Sequence, residues 1–317
     1  MTFFEFLEKF PTEPACIEYY IKVRYGNEVK CNHCGCKHSI YHIAKYPKNF
    51  ICFNCKNTFS IFKGTIFEKS CTDLRKWLYA IHLILNSKKG ISALQLKREI
   101  GVTYKTAWRM LHKIREAMKN EKNDNNQDND NNNDNGWFSK LLEGIVEIDE
   151  TYIGGKAENM HTSKRINAKG VFEKLIIMGM IERNGGVKAV KIDDTKANTL
   201  LKQIYSNVKQ GSLIITDELK GYKQIGLEYN HKCVNHSAGE YSRQESFEDR
   251  REGYKSYKSY TNTIEGFWAT LKRGVFGIYH HISCKYAENY INEFCFRYNN
   301  RASEMVFEKL MRRTIVC

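Results

Sequence analysis

Four cysteines stand as two Cys-x-x-Cys pairs, Cys31 with Cys34 and Cys52 with Cys55, and 17 residues separate the pairs. Each pair fits a tight turn. Two such turns, brought together by short strands expected over Ser39–Tyr46 and Phe50–Cys52, supply four thiolates to a tetrahedral Zn²⁺. With sulfur at all four positions no place is left for water, so the ion is structural. The bland alternative is four unliganded cysteines buried as small apolar groups, which this register disfavours. Cys36, His33, His38 and His42 lie nearby as substitute ligands and rank below the two pairs. Cys16, Cys71, Cys233, Cys284, Cys295 and Cys317 are expected to be ordinary buried thiols. An odd total of 11 cysteines, several in close pairs, fits a reducing compartment better than a disulfide framework.

A second set of residues is acidic. The run GIVEIDETYIGG is β-branched and apolar into Asp149, and SLIITDELKGY is a buried strand ending at Asp217. The block TNTIEGFWATLKRGV reads as a short helix carrying Glu265 and, two turns later on the same face, Lys272. Two aspartates at strand ends and one carboxylate on a helix are what two-metal phosphoryl transfer requires, with Asp149 bridging ions about 4 Å apart. Lys272 would place a cation where a phosphate or a DNA strand is held. Each carboxylate also has a structural reading: Asp149 and Asp217 as strand-end caps, and Asn262-x-x-Glu265 as a capping box. Glu147, Glu150 and Glu218 are expected to point to the opposite strand faces.

The elements that must position these groups fall into segments. Residues 1–70 form a zinc-ribbon domain, 71–118 a helix-turn-helix region, 119–136 a flexible linker, and 137–317 a catalytic domain. The linker, KNEKNDNNQDNDNNNDNG, has almost no apolar side chain to offset the entropy of ordering it. In the region before it, Thr72 and Thr103 are placed as helix N-caps, and Gly90 and Gly101 fall where helices stop. In the last of three helices Ala107, Leu111 and Ile114 make a core face. Tyr104, Lys105, Arg109 and Lys113 lie on or near the other side, placed to enter a major groove. The bland alternative is a three-helix bundle with a solvated charged face. Beyond the linker, strands over Lys174–Arg183 and Val187–Ile192 flank a hairpin turn at Asn184-Gly185-Gly186, and a helix covers roughly Thr195–Lys209. Strand, hairpin, helix, strand, helix is an α/β order.

Charge points the same way. The chain of 317 residues has 50 Lys+Arg and 36 Asp+Glu, a net +14, and residues 1–118 carry 20 basic against 9 acidic residues. A small, strongly basic module implies a polyanionic partner, because cations that neutralise phosphates release counterions. A hydrophobic content of 42 % excludes wholesale disorder, and only 3 prolines exclude a Pro-rich fibre. No apolar run reaches the length of a spanning helix, and Glu5, Glu8 and Glu13 interrupt the amino-terminal apolar stretch. A soluble, intracellular protein with no membrane partner is therefore expected.

The order CNHC…CFNC, KREIGVTYKTAWRMLHKIREAM, EIDETYIGGK, TDELKGY and YTNTIEGFWATLKRGVFGIYHHIS…YINEFCFRYNNR resembles DDE transposases of the Merlin superfamily and their ISXO-like bacterial insertion-sequence relatives. The resemblance spans nearly the whole chain apart from the Asn/Asp linker, which has no counterpart in it. It implies a ribonuclease-H-like α/β catalytic fold (a mixed sheet with flanking helices) and Mg²⁺ or Mn²⁺ as cofactor. Double-stranded DNA, as terminal inverted repeats and as target, is the implied substrate. By motif position the triad is Asp149, Asp217 and Glu265. Some relatives place an asparagine third, and Asn262 matches that column. His236, His280 and Arg297 match positions common in the family and stand as accessory candidates.

The expected function is a DNA transposase that binds terminal inverted repeats and performs metal-dependent strand cleavage and strand transfer. It would act as at least a dimer, in the nucleus of a eukaryotic host or otherwise in the cytoplasm. The rival is a domesticated, catalytically silent DNA-binding regulator; an unrelated ribonuclease-H-like nuclease would need no sequence-specific DNA module.

Overall fold

A computed structural model describes residues 1–26, 28–119, 140–154, 174–217, 220–222, 225, 229–234, 243–249 and 253–315. The chain divides into two compact units, Met1–Lys119 with Ala302–Cys317, and Asn120–Arg301. The carboxy-terminal residues from Ala302 thus fall in the same unit as the amino terminus, whereas the sequence places them with the catalytic domain.

In the first unit, helices α1 (Phe3–Lys9) and α2 (Glu13–Tyr25) precede an antiparallel three-stranded sheet of β1 (Ile40–His42), β2 (Asn49–Cys52) and β3 (Thr58–Ser60). The first strand is shorter than expected, because the chain turns after it: Tyr46 N–H donates to Ile43 O at 2.8 Å. Helices α3 (Leu74–Asn86), α4 (Ala93–Ile100) and α5 (Tyr104–Ala117) follow, and α9 (Val306–Arg313) closes the unit. Asp73 rather than Thr72 caps α3, its Oδ1 accepting from Arg75 N–H at 2.7 Å. Thr103 caps α5 and Gly101 ends α4, as the sequence indicates, but α3 stops at Ser87, before Gly90. Phe6, Phe10, Tyr20, Phe67, Leu78 and Ile81 are buried in this unit.

The second unit is built on a mixed sheet of β4 (Ile145–Ile153), β5 (Leu175–Glu182), β6 (Val187–Ile192), β7 (Leu213–Thr216) and β8 (Asn230–Cys233), in the order β6-β5-β4-β7-β8. The first three strands are antiparallel neighbours; β7 and β8 run parallel to β4. The hairpin turn lies where expected, with Asn184 at φ 60°. One face of the sheet, with Val146, Ile148, Met178 and Met180, packs on Leu200 and Ile204 of α6 (Ala197–Asn207). A separate ribbon of β9 (Arg243–Asp249) and β10 (Gly253–Ser259) leads into α7 (Asn262–Gly274), a π-helical turn over Val275–Tyr279, and α8 (Ala287–Asn299). No helix among the described residues is long and apolar enough to cross a membrane.

Candidate functional site

Asp149 sits on the central strand β4, cross-strand from Gly179 on β5. The parallel β4–β7 register pairs Glu147 with Ile215; continued by two residues it sets Asp217, just past the end of β7, beside Asp149. The Asp217 backbone is fixed by its carbonyl, which accepts from Thr216 Oγ1 at 2.9 Å and from Cys233 Sγ at 3.0 Å. Glu265 lies in the first turn of α7, and Thr261 Oγ1 donates to its Oε1 at 3.1 Å.

The electrostatics tie these three together. The Asp149 carboxyl is pushed up to about 6, first by burial, then by the Asp217 charge, with Glu265 adding to it; the Trp268 indole and a backbone N–H oppose the shift. Glu150, the next residue, is pushed up to about 8 by burial and by the charges of Asp149 and Asp217. Glu150 Oε1 is buried without a hydrogen-bond partner. Such mutually repelling hard oxygens suit a divalent cation, which relieves both the repulsion and the desolvation.

The strand alternation places Glu150 with Val146 and Ile148, away from Asp149, as expected. For Glu147 the expectation was wrong: two residues before Asp149, it shares that residue's face and meets α7. Its Oε2 accepts from the N–H groups of Thr263 (2.9 Å) and Ile264 (3.1 Å). Its Oε1 accepts from Thr263 Oγ1 (2.9 Å) and Arg183 Nε (2.8 Å). Asn262 is not a cap either: Thr261 is the N-cap residue, and Asn262 is the first, exposed residue of the helix.

Lys272 is half-buried, two turns along α7 from Glu265. His280 is exposed just after the π-helical turn, in a left-handed conformation with φ 58°. Arg297 forms an ion pair with the fully buried Glu293 on its own helix, which gives it a structural part. His236 and Glu218 lie outside the described residues. The residues that sequence reasoning missed are Glu147, Arg183, Thr261, Trp268 and Gly179; the parity of Glu147 with Asp149 was the one available signal.

In the ribbon the four cysteine sulfurs all lie within 4.8 Å of one another. Cys31 Sγ is 3.6 Å from Cys55 Sγ and Cys34 Sγ is 3.7 Å from Cys52 Sγ. Tetrahedral Zn–S bonds of about 2.3 Å require sulfurs about 3.8 Å apart, so the set fits zinc. The two turns are built alike. Cys31 N–H donates to Cys36 O at 2.8 Å and Cys52 N–H to Asn57 O at 3.0 Å. The residue after each second cysteine is left-handed, Gly35 at φ 70° and Lys56 at φ 56°. Cys36 instead donates to His38 O at 2.8 Å. Among the remaining described cysteines Cys16 and Cys295 are buried, but Cys71, Cys233 and Cys284 are exposed, contrary to expectation.

On α5, Ala107, Leu111 and Ile114 are buried while Tyr104, Lys105 and Arg109 are exposed. Lys113 is half-buried, with its ammonium 2.7 Å from Glu116.

The family profile of the ISXO2-like transposase domain matches residues 141–299, and that of the transposase zinc-ribbon domain matches residues 11–58. An uncharacterized protein in transposable element ISH50 of Halobacterium salinarum is 25 % identical over 248 residues, which cover 74 % of this chain and 78 % of that protein.

Proposed function

The chain belongs to the ISXO2-like transposase domain family, and from that premise we propose that it is a DDE transposase that binds the terminal inverted repeats of its element, cleaves their ends and joins them to target DNA. The observation that carries this is the electrostatic coupling of three carboxylates, on β4, just past β7 and in the first turn of α7: the charges of Asp217 and Glu265 both act on the ionisation of Asp149. The sheet order, three antiparallel strands followed by two parallel to the first, is the one expected of a ribonuclease-H-like catalytic domain.

Asp149, Asp217 and Glu265 are the residues that would hold Mg²⁺ or Mn²⁺. Such a pair, when bound, supplies Lewis acidity to the attacking and leaving oxygens. The Trp268 indole N–H orients the Asp149 carboxylate, and Thr261 orients that of Glu265. Lys272 would hold a phosphate of the bound strand. In the first step water adds to the terminal phosphorus, loses its proton, and the bridging oxygen leaves as a 3′-OH. In the second that 3′-OH attacks a target phosphodiester, and the displaced target oxygen takes up the proton.

The basic ribbon and the α4–α5 pair would read the element's ends as a helix-turn-helix, with Tyr104, Lys105 and Arg109 presented to the major groove and phosphates. Paired-end cutting calls for a dimer or larger assembly, acting where the cell keeps its DNA. Asp149→Asn tests the reading: it should bind a duplex carrying the flanking repeats like wild type yet not cut it. Unchanged cutting would refute it.

A further inference from the structure

The third carboxylate stands on a helix whose amino terminus is not closed in the usual way. The N-cap residue of α7, Thr261, makes no side-chain capping bond; its buried hydroxyl donates to Glu265 Oε1 instead. An uncapped helix leaves its first N–H groups unsatisfied, which is costly where they are buried. Here the missing cap comes from the sheet. Glu147 is 0 % exposed and accepts the N–H groups of Thr263 and Ile264 and the Thr263 hydroxyl. A buried anion at that end also meets the positive pole of the helix dipole.

Glu147 is itself held. Arg183 Nε donates to it at 2.8 Å, and the same guanidinium donates to Lys258 O at 2.6 Å and Tyr260 O at 2.9 Å, in the chain just before the helix. The guanidinium carbon lies 3.6 Å from the centroid of the Tyr260 ring. One carboxylate and one guanidinium therefore fix both the first turn of α7 and the segment that enters it, Glu147 from strand β4 and Arg183 from the residue that follows β5.

We propose that Glu147 is a positioning residue for the catalytic carboxylates: by capping α7 from β4 it frees the Thr261 hydroxyl to orient Glu265, and so sets Glu265 against Asp149, two residues along the same strand face. The inference rests on the reading of Asp149, Asp217 and Glu265 as a divalent-cation site. Charge pairing of Glu147 with Arg183 alone would stabilise the fold but would not require Thr261 to give up capping.

The test is Mn²⁺ binding to the full chain, followed by the loss of the free-ion EPR signal, with circular dichroism and thermal melting as the measure of fold. Thr261→Val removes the orienting hydroxyl and leaves the Glu147 cap in place; Thr261→Ser restores the hydroxyl; Glu147→Gln weakens the cap. Thr261→Val and Glu147→Gln should each bind Mn²⁺ about tenfold more weakly, as expected for partners that orient ligands, and Thr261→Ser should recover the affinity. If Glu147→Gln fails to fold, Thr261→Val against Thr261→Ser carries the test. Folded variants that bind Mn²⁺ like wild type would overturn the proposal, as would Thr261→Ser binding no better than Thr261→Val. A wild-type chain that takes up no Mn²⁺ in an Asp149-dependent way would instead overturn the reading of the site, and the proposal with it.

Discussion

The Trp268 indole N–H donates to Asp149 Oδ2 at 3.0 Å, linking α7 to the central strand of the sheet. That contact exists because residue 179, cross-strand from Asp149, is a glycine. A Cβ there would lie 2.5 Å from Trp268 Cζ2, 2.7 Å from Cη2 and 2.9 Å from Ile264 Cδ1. The absence of one methyl group on β5 thus lets the indole reach the carboxylate.

Gly179→Ala should therefore displace the ring, destabilising the protein by about 1–3 kcal/mol as overpacked sites do. Trp268→Phe keeps the packing and removes the donor. A hydrogen bond to a charged group contributes about 1.5–3 kcal/mol, so strand cleavage should fall about ten- to a hundredfold with DNA binding intact. Single-turnover cleavage beside a binding titration checks both; a Phe variant at wild-type rate would deny the indole any part.

Glu265 and Asn262 compete for the third ligand position on motif grounds, and they differ in their surroundings. Both are exposed residues of the first turn of α7, but the Glu265 charge adds to the raised Asp149 ionisation and its Oε1 accepts from the Thr261 hydroxyl. Glu265→Gln should abolish cleavage and Asn262→Ala should leave it within about threefold, the range of ordinary surface substitutions. Endpoint cleavage with Mn²⁺ distinguishes them, and the reverse pattern would assign the role to Asn262.

Elemental analysis should find one zinc per chain, lost in Cys34→Ser. Because metal binding and folding are coupled in so small a sheet, removal of zinc by a strong chelator should unfold the ribbon and weaken binding to the element's ends. Mn²⁺ affinity should be unchanged, since those ligands belong to the other unit. Retained DNA affinity without zinc would show that the ribbon takes no part in end recognition.

His82 supplies a pH dependence of stability. It is 5 % exposed on α3, clustered with the rings of Phe6 and Tyr79, and burial, then the amino-terminal charge, lowers its pKa from 6.5. The unfolded chain then binds the proton more readily, so this contribution is full above about pH 6.5 and is lost as pH falls below it. His82→Phe should melt progressively better relative to wild type between about pH 7.5 and 5. The Asn86 amide keeps a partner in the variant, since it also donates to His82 O at 3.0 Å. Parallel melting curves across that range would contradict the assignment.

Much of this was legible in the chain itself. Runs rich in β-branched and other apolar residues marked β4, β5 and β7, and two closely spaced cysteine pairs marked the ribbon, because in both cases the signal is local. What was missed depends on distant partners. The Asn262-x-x-Glu265 pattern looked like a capping box, but a carboxylate 116 residues from Thr263 took the capping role. Glu147 had the right parity to be placed on the Asp149 face, but nothing nearby named its partner. The stripe Phe307, Leu310 and Met311 of α9 is equally apolar whichever core it joins, so its place in the first unit could not be read. Strand β8, NHKC, has no apolar alternation and is recognisable only through its pairing with β7.

The central claim is that the three converging carboxylates make a cation-dependent site for cutting DNA. Its most direct test is strand cleavage of a labelled duplex carrying the repeats that flank the reading frame, with Mg²⁺ or Mn²⁺, comparing wild type with Asp217→Ala. Metal-dependent cuts at the repeat boundary that vanish in a variant still binding the duplex are the predicted result. Specific binding by the wild-type chain with no cleavage under any divalent cation would contradict it and favour a DNA-binding regulator.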